Sequence, residues 1–255
     1  MKFLASSLIA VSSLANPIQK IDFNMTALTP KEVEIKLDSI IVFTPTNKDG
    51  TPKSFSFEVN GEKKNIYFAA FSPSAINFLN EKVIVQSSNK DNKFSYSPKS
   101  LSKFNSLINI EKEKSKKGVA DVIYIPDPDQ REISKKLLLE QGYKEDNLDN
   151  LLQNNPIVFC PNPTINATDN RNNISYIPCS TDYLTMKGLI DKAKFKKKYF
   201  WSKVQKPKVT AIPLTQFINT LRNSDENNIK EIRVLPSPTS IKVINQINQI
   251  NQNDQ

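Results

Sequence analysis

Two stretches that lie far apart in the chain copy one another. Ile41-Val42-Phe43-Thr44-Pro45 returns as Ile157-Val158-Phe159-Cys160-Pro161. Val122-Ile123-Tyr124-Ile125-Pro126-Asp127-Pro128 returns as Ile232-Arg233-Val234-Leu235-Pro236-Ser237-Pro238. A repeat of whole segments in fixed order limits the architecture more than any single motif, because each copy must build the same unit. It predicts an α/β (α+β) fold of two pseudo-twofold-related lobes from an internal duplication, each a small mixed sheet with packed helices. The expected units are residues 29–145 and 150–245, followed by a disordered tail at 246–255.

The elements alternate as such a unit requires. Thr29 and Pro30 open a short helix through Leu37, and the first strand runs from Ile40 to Thr44. Ser54 to Val59 alternates apolar and polar, Asn60-Gly61 is a tight turn, and Ile66 to Phe71 follows, which predicts a three-stranded antiparallel meander. Ser72 caps the next helix. Val83–Gln86 and Lys93–Ser97 are short strand candidates, and a helix from Pro98 presents Leu101, Phe104, Leu107 and Ile108 on one face. Lys112 to Lys117 reads as a solvated loop. Val122–Ile125 is a buried strand, after which Asp127-Pro128 caps a helix whose Ile133, Leu137 and Leu138 share a face.

The second half repeats the order: a strand Ile157–Cys160, a polar loop, a strand from Ile174 to Pro178, and a helix capped by Ser180. A strand Val209–Ile212 leads into a helix opened by Thr215, and Ile229–Leu235 precedes a last helix opened by Pro238. Leu101 is matched to Phe217 and Ser97 to Pro213 in this alignment. Beyond Ile241 the Ile-Asn-Gln triplets have a period of three that drifts off a helix, and a fraying end is expected.

Chemistry is constrained as much by what is missing. The sequence has no histidine, which removes Ser-His, Cys-His and His-metal sites together. Its 5 glycines form no phosphate-binding run. Asp127, Asp129 and Glu132 could pose as a carboxylate cluster, but the second copy keeps the prolines and puts Ser237 in place of Asp127, and a cap explains both. No catalytic residue, metal site or cofactor is therefore expected, and the chain is read as a binder rather than an enzyme.

The formal charge of +9 invites a nucleic-acid reading. Lysine supplies nearly all of it, while arginine, the better fork for phosphate and base edges, is scarce, so no nucleic-acid partner is assigned. Lys192-Ala193-Lys194-Phe195-Lys196-Lys197-Lys198-Tyr199-Phe200-Trp201 interleaves cations with aromatics. Lys196, Lys197, Lys198, Tyr199 and Trp201 suit an anionic lipid surface, a single strand or an acidic client. They also suit a plain helix end, where cations meet the macrodipole and Phe195 and Tyr199 lie four apart.

Residues 1–15 carry Lys2, a short apolar run and Ser13-Leu14-Ala15, the pattern of a cleavable export signal. Export would put Cys160 and Cys179 where a disulfide persists. If their segments pair as a hairpin centred near Thr168, the two thiols have opposite parity and point to opposite faces; another register would allow the bond, and the sequence leaves the pairing open.

The order of short motifs resembles one family. Ile41-Val42-Phe43 before Gly50-Thr51-Pro52, Ile66-Tyr67-Phe68 running to Ser72-Pro73-Ser74-Ala75, Tyr124 to Gln130, Pro156 to Phe159, Ile212 to Ile218 and Val234 to Pro238 are together similar to the Tic twenty-two family. This is the soluble component associated with the chloroplast inner-envelope translocon, with cyanobacterial relatives. The resemblance spans about Lys31 to Ile244, with Ile41 where relatives favour proline. It implies a butterfly-like body with apolar pockets and chaperone-like handling of proteins in transit. The implied partners are partly folded clients and outer-membrane or translocon components. The implied setting is the periplasm or thylakoid lumen of a cyanobacterium, or alternatively a plastid. Phe68, Phe71, Phe78 and Leu79 in the first lobe, with Tyr176, Tyr183, Leu184 and Phe217 in the second, are the candidates for an apolar groove. The other reading is a binding module for anionic lipid or a membrane surface, working through residues 192–201.

Overall fold

Each half of the chain folds as one mixed sheet, and the two sheets share a topology strand for strand. The computed structural model describes residues 27–59, 61–83, 95–114, 121–169, 171–193, 206–224 and 227–253. In the first half the strands are β1 (Ile41–Thr46), β2 (Ser54–Val59), β3 (Glu62–Ala70), β4 (Ser95–Ser100) and β5 (Asp121–Ile125). In the second they are β6 (Ile157–Asn162), β7 (Ala167–Asp169), β8 (Ile174–Ser180), β9 (Lys208–Pro213) and β10 (Ile232–Leu235). β3 pairs antiparallel with β1 and β2 and parallel with β5, and β1 pairs antiparallel with β4. β8 does the same with β6, β7 and β10, and β6 with β9.

The registers repeat as well. Phe43 faces Ala70, which faces Ile125; Phe159 faces Ser180, which faces Leu235. Ile41 faces Ser100 and Ile157 faces Pro213. That last match places Leu214 opposite Leu101 in the alignment of the lobes, Phe217 opposite Phe104, and Thr210 opposite Ser97. The sequence pairing of Leu101 with Phe217 is thus one helical turn out, because both residues are apolar and helical spacing alone does not fix a register.

The expected meander is not formed. β1 and β2 do not pair as neighbours in a ladder; both run along the same side of β3 as one interrupted strand. Tyr67, which an unbroken ladder would set opposite Thr46, lies opposite Ser54. In the second half Tyr176, which an unbroken ladder would set opposite Pro163, lies opposite Ala167. A loop leaves the sheet and returns to the same edge in both lobes, a bulge on a larger scale. Of the expected Asn60-Gly61 turn, Asn60 lies outside the described residues; Val59 faces Glu62 and Gly61 stands at φ 78°.

Among the described residues eight α-helices accompany the sheets: α1 (Pro30–Leu37), α2 (Pro73–Phe78), α3 (Leu101–Lys114), α4 (Arg131–Glu140), α5 (Glu145–Asn154), α6 (Tyr183–Lys192), α7 (Leu214–Asn223) and α8 (Pro238–Asn253). Thr29 and Glu32 form a reciprocal capping box on α1, and Ser72 accepts the Ala75 N–H at the start of α2. α6 is capped by Asp182 rather than Ser180, since β8 continues through Ser180 and the chain needs two more residues to turn. β4 likewise extends to Ser100, so α3 begins at Leu101 and not at Pro98. Asp127 caps a single 3-10 turn, Pro128–Gln130, ahead of α4. α3 carries on to Lys114, inside the expected loop.

α5 was not read from the sequence, although Glu145 and Asp146 in its first turn and buried Leu148 and Leu152 mark it. α8 runs through Asn253, where a fraying tail was expected. Ser237 caps it and Val243 packs on the first sheet, so tertiary contact holds a helix whose polar period would not.

β3 from Ile66 onward and β5 beside it are covered on both faces, and alternation divides their side chains. Tyr67, Ala69 and Phe71, with Val122 and Tyr124, face an inner core; Ile66, Phe68 and Ala70, with Ile123 and Ile125, face an outer one. The inner core is common to both lobes, joining Val42, Leu101 and Phe104 to Val158, Leu214, Phe217 and Val234. Each lobe has its own outer core, under α2 in the first and under α4, α5 and α6 in the second. Packing across the lobes is reciprocal. α1 of the first lies against β10 of the second, and α5 of the second lies against β5 of the first. That exchange is what a twofold relation between copies produces.

Candidate functional site

A cavity of about 480 Å³ opens where the two outer cores approach each other. The first lobe contributes Phe68 from β3, Phe71 from the strand end, Phe78 from α2, and Ile123 and Ile125 from β5. The second contributes Leu152 from α5 and Ile157 and Phe159 from β6. Pro126, Pro128 and Pro156 line it too, at junctions between strands and helices. Aromatic contacts fix the walls: Phe68 meets the Phe57 ring edge-on at 5.8 Å, and Phe71 meets Tyr124 at 5.8 Å and 89°. Burial pushes the Tyr124 phenol above its usual pKa, and the group donates to Asn105 at 3.1 Å.

One lip of this cavity is polar and crosses between the lobes. Asp127 accepts hydrogen bonds from the Ser74 hydroxyl at 2.9 Å, its own turn's Asp129 N–H at 3.1 Å and the Gln130 amide at 2.9 Å. The same Gln130 amide donates to the Thr181 carbonyl at 3.1 Å, and its oxygen accepts the Tyr183 N–H at 2.7 Å. Gln130 of the first lobe therefore satisfies an open N–H at the start of α6 in the second. Arg131 is bound to Asp149 of α5 at 2.9 Å. That bond, with Lys135 next in weight, holds the Asp149 carboxyl below its ordinary range. Asp127, Gln130 and Arg131 on this lip are thus committed to structure, beside the apolar wall.

A second cavity of about 450 Å³ lies within the second lobe. The wall includes Phe217, Leu221, Ile229, Ile232 and the sulfurs of Cys160 and Cys179. These cysteines are bonded, with Cα atoms 4.4 Å apart. Register settles the pairing that the sequence left open. The hairpin is not centred on Thr168: Phe159 faces Ser180, so the next pair along the ladder is Cys160 with Cys179, on one face at close-pair distance. At the rim the Tyr143 hydroxyl donates to Gln216 at 2.7 Å, and burial raises its pKa.

Of the eight groove candidates, Phe68, Phe71 and Phe78 meet in the first cavity and Phe217 lines the second. Leu79 is fully buried under the first sheet, and Tyr183 packs on Phe159 at 5.8 Å in the second outer core. Tyr176 lies under the Arg233 guanidinium at 4.6 Å, and that guanidinium also binds Asp169 at 3.0 Å. Leu184 stands 70% exposed, apart from both cavities. Lys196, Lys197, Lys198, Tyr199 and Trp201 lie outside the described residues, as do residues 1–15. Sequence reading missed the contributions of Leu152, Ile157 and Phe159 to the first cavity and the bridging Gln130. The unread α5 was the available signal for Leu152.

A solved structure described as Anabaena Tic22 (protein transport) superposes with a TM-score of 0.64 over 86% of this chain and 97% of that one, at 16% identity. The chain has the Tic22 fold. A structure of Tic22 from Plasmodium falciparum matches with a TM-score of 0.57 over 85% of this chain and 97% of that one, at 19% identity. No family model and no curated protein matches the sequence. The likeness to Tic22 thus rests on the arrangement of elements rather than on residues, and both lobes take part in it. Among the described residues no group of three His, Cys, Asp or Glu could hold a metal ion, and no helix is long and apolar enough to cross a membrane.

Proposed function

We propose that this chain is an exported, non-enzymatic, chaperone-like protein that assists protein translocation or envelope biogenesis by holding apolar client segments in the cavity between its lobes. The observation that carries this reading is Phe78, an aromatic side chain left 44% exposed at a cavity that both lobes line with apolar groups. An extended client segment gains about 25 cal/mol for each Å² of apolar surface it buries there, with no sequence-specific chemistry. The Tic22 fold, found in a protein described by its role in protein transport, supports the same reading. Clients are partly folded proteins in transit, met near outer-membrane or translocon components. The setting is the periplasm or thylakoid lumen of a cyanobacterium or the corresponding space of a plastid.

The test is suppression of aggregation of a chemically unfolded client by the full chain, beside a Phe78→Glu variant. A charge at this exposed position leaves the fold intact and removes protection. Equal protection by the variant, or none by the parent, overturns the reading. Salt-sensitive sedimentation with anionic vesicles without client protection would instead favour the lipid-binding module.

A further inference from the structure

We propose that the Cys160–Cys179 disulfide is a redox switch that gates the cavity of the second lobe. β6 and β8 face each other directly at one position only, Phe159 with Ser180, and Cys160 with Cys179 is the adjoining pair. Beyond it β6 parts from β8, staying on β9 through Asn162, and the chain rejoins β8 at Ala167 opposite Tyr176. The covalent bond therefore ties the two strands at the point where the ladder stops doing so. It also forms part of the wall of a cavity of about 450 Å³. On its other side β6 stays fixed to β9, six residues deep, with the Thr210 hydroxyl on the Cys160 carbonyl at 2.9 Å. Release of the bond frees β6 and β8 from each other while each keeps another partner, β9 for one and β10 for the other.

The first lobe shows what the position needs for packing alone. By the shared register its counterparts are Thr44 and Ala69, both 0% exposed and unlinked. A sulfur pair is therefore not required to close this junction.

The step is a two-electron thiol–disulfide exchange with a dithiol reductant, either a small dithiol or a protein of that class. Cys160 keeps 8% of its surface and Cys179 1%, so the incoming thiolate attacks the Cys160 sulfur. The S–S bond breaks, Cys179 leaves as thiolate and takes up a proton, and a mixed disulfide holds the reductant on Cys160. The second thiol of the reductant then displaces Cys160, giving the oxidised reductant and two free thiols on the chain. The inference is independent of the client site between the lobes.

The test uses the full chain with Nile red as an apolar probe, thiol titration, and circular dichroism to follow the fold. On treatment with dithiothreitol two thiols appear, ellipticity stays constant, and probe fluorescence rises severalfold and falls back on reoxidation. A Cys160→Ala/Cys179→Ala variant is bright in both conditions. Thr220→Trp, which fills the second cavity, abolishes the rise, whereas Phe78→Glu at the other cavity leaves it. Unchanged fluorescence on reduction, a rise that Thr220→Trp does not remove, or loss of ellipticity with reduction each overturns the proposal.

Discussion

At one pair of matched positions the first lobe has Thr44 and Ala69, both buried and unlinked, while the second has a disulfide beside a cavity. At another pair, Asp127 ends in a polar lip shared with Gln130, while its counterpart Ser237 caps α8 directly, through the Ser240 N–H at 3.0 Å. The helices that precede the two sheets differ again. α1 joins the common inner core through Val33 and Leu37, but α5 joins the outer core of the second lobe through Leu148 and Leu152. The two copies agree wherever backbone hydrogen bonds set the arrangement, and diverge wherever side chains face a cavity. A ladder cannot slip by one residue without turning every side chain to the wrong face, whereas a cavity wall changes one residue at a time.

The strongest challenge to this comparison is aimed at the inner core. Phe104 and Phe217 hold matched places on α3 and α7, 0% and 2% exposed. Each truncation to alanine is expected to cost about 3–5 kcal/mol. If the core is common to the lobes, thermal unfolding of either variant stays a single transition; two transitions, with only the mutated half affected, would break the claim.

Next in size is the disulfide. It closes a sequence separation of 19 residues in the second lobe alone, and its reduction is expected to lower stability by about 3 kcal/mol in chemical denaturation. The chain remains folded, with the loss confined to amide exchange in β6 to β8.

Gln130→Ala should cost about 1–3 kcal/mol, because it strips the Tyr183 N–H and the Thr181 carbonyl of their partner across the lobes. Ser240→Ala at the matched position of the second lobe removes only a hydroxyl that accepts from Ser237, and is expected to cost less. Equal losses measured by denaturant midpoint would show that Gln130 has no bridging role.

The smallest effect is at the first turns of α1 and α5. Thr29→Ala is expected to cost about 1 kcal/mol, and Lys144→Thr, at a helix start with no side-chain cap, to return a fraction of that. Glu32 accepts from the Thr29 N–H and hydroxyl, both at 2.8 Å, which holds its pKa below the ordinary 4.5. The contribution is therefore complete above that pH and is lost as pH falls through the lowered value. The Thr29→Ala difference should shrink in acid while the Lys144→Thr gain does not.

Several features were legible because they are local. Pro30 and Pro73 at first helical positions, Gly61 at positive φ and the strand at Ser54–Val59 each follow from one residue's dihedral preference or a period of two. The cavity residues were legible only in part. Phe68 and Leu79 look alike as apolar residues near one strand and one helix, yet the first lines a cavity and the second fills a core.

The sequence by itself determined the duplication, the strand-and-helix order and the absence of histidine chemistry, since these reside in residue identity and spacing. Only the tertiary structure decided that β1 and β2 share one edge of β3, that Cys160 faces Cys179, and that Gln130 reaches α6. Each of these depends on a loop of free length between two paired segments. No local preference counts how many residues such a loop takes out of the sheet, and packing across both faces sets that number.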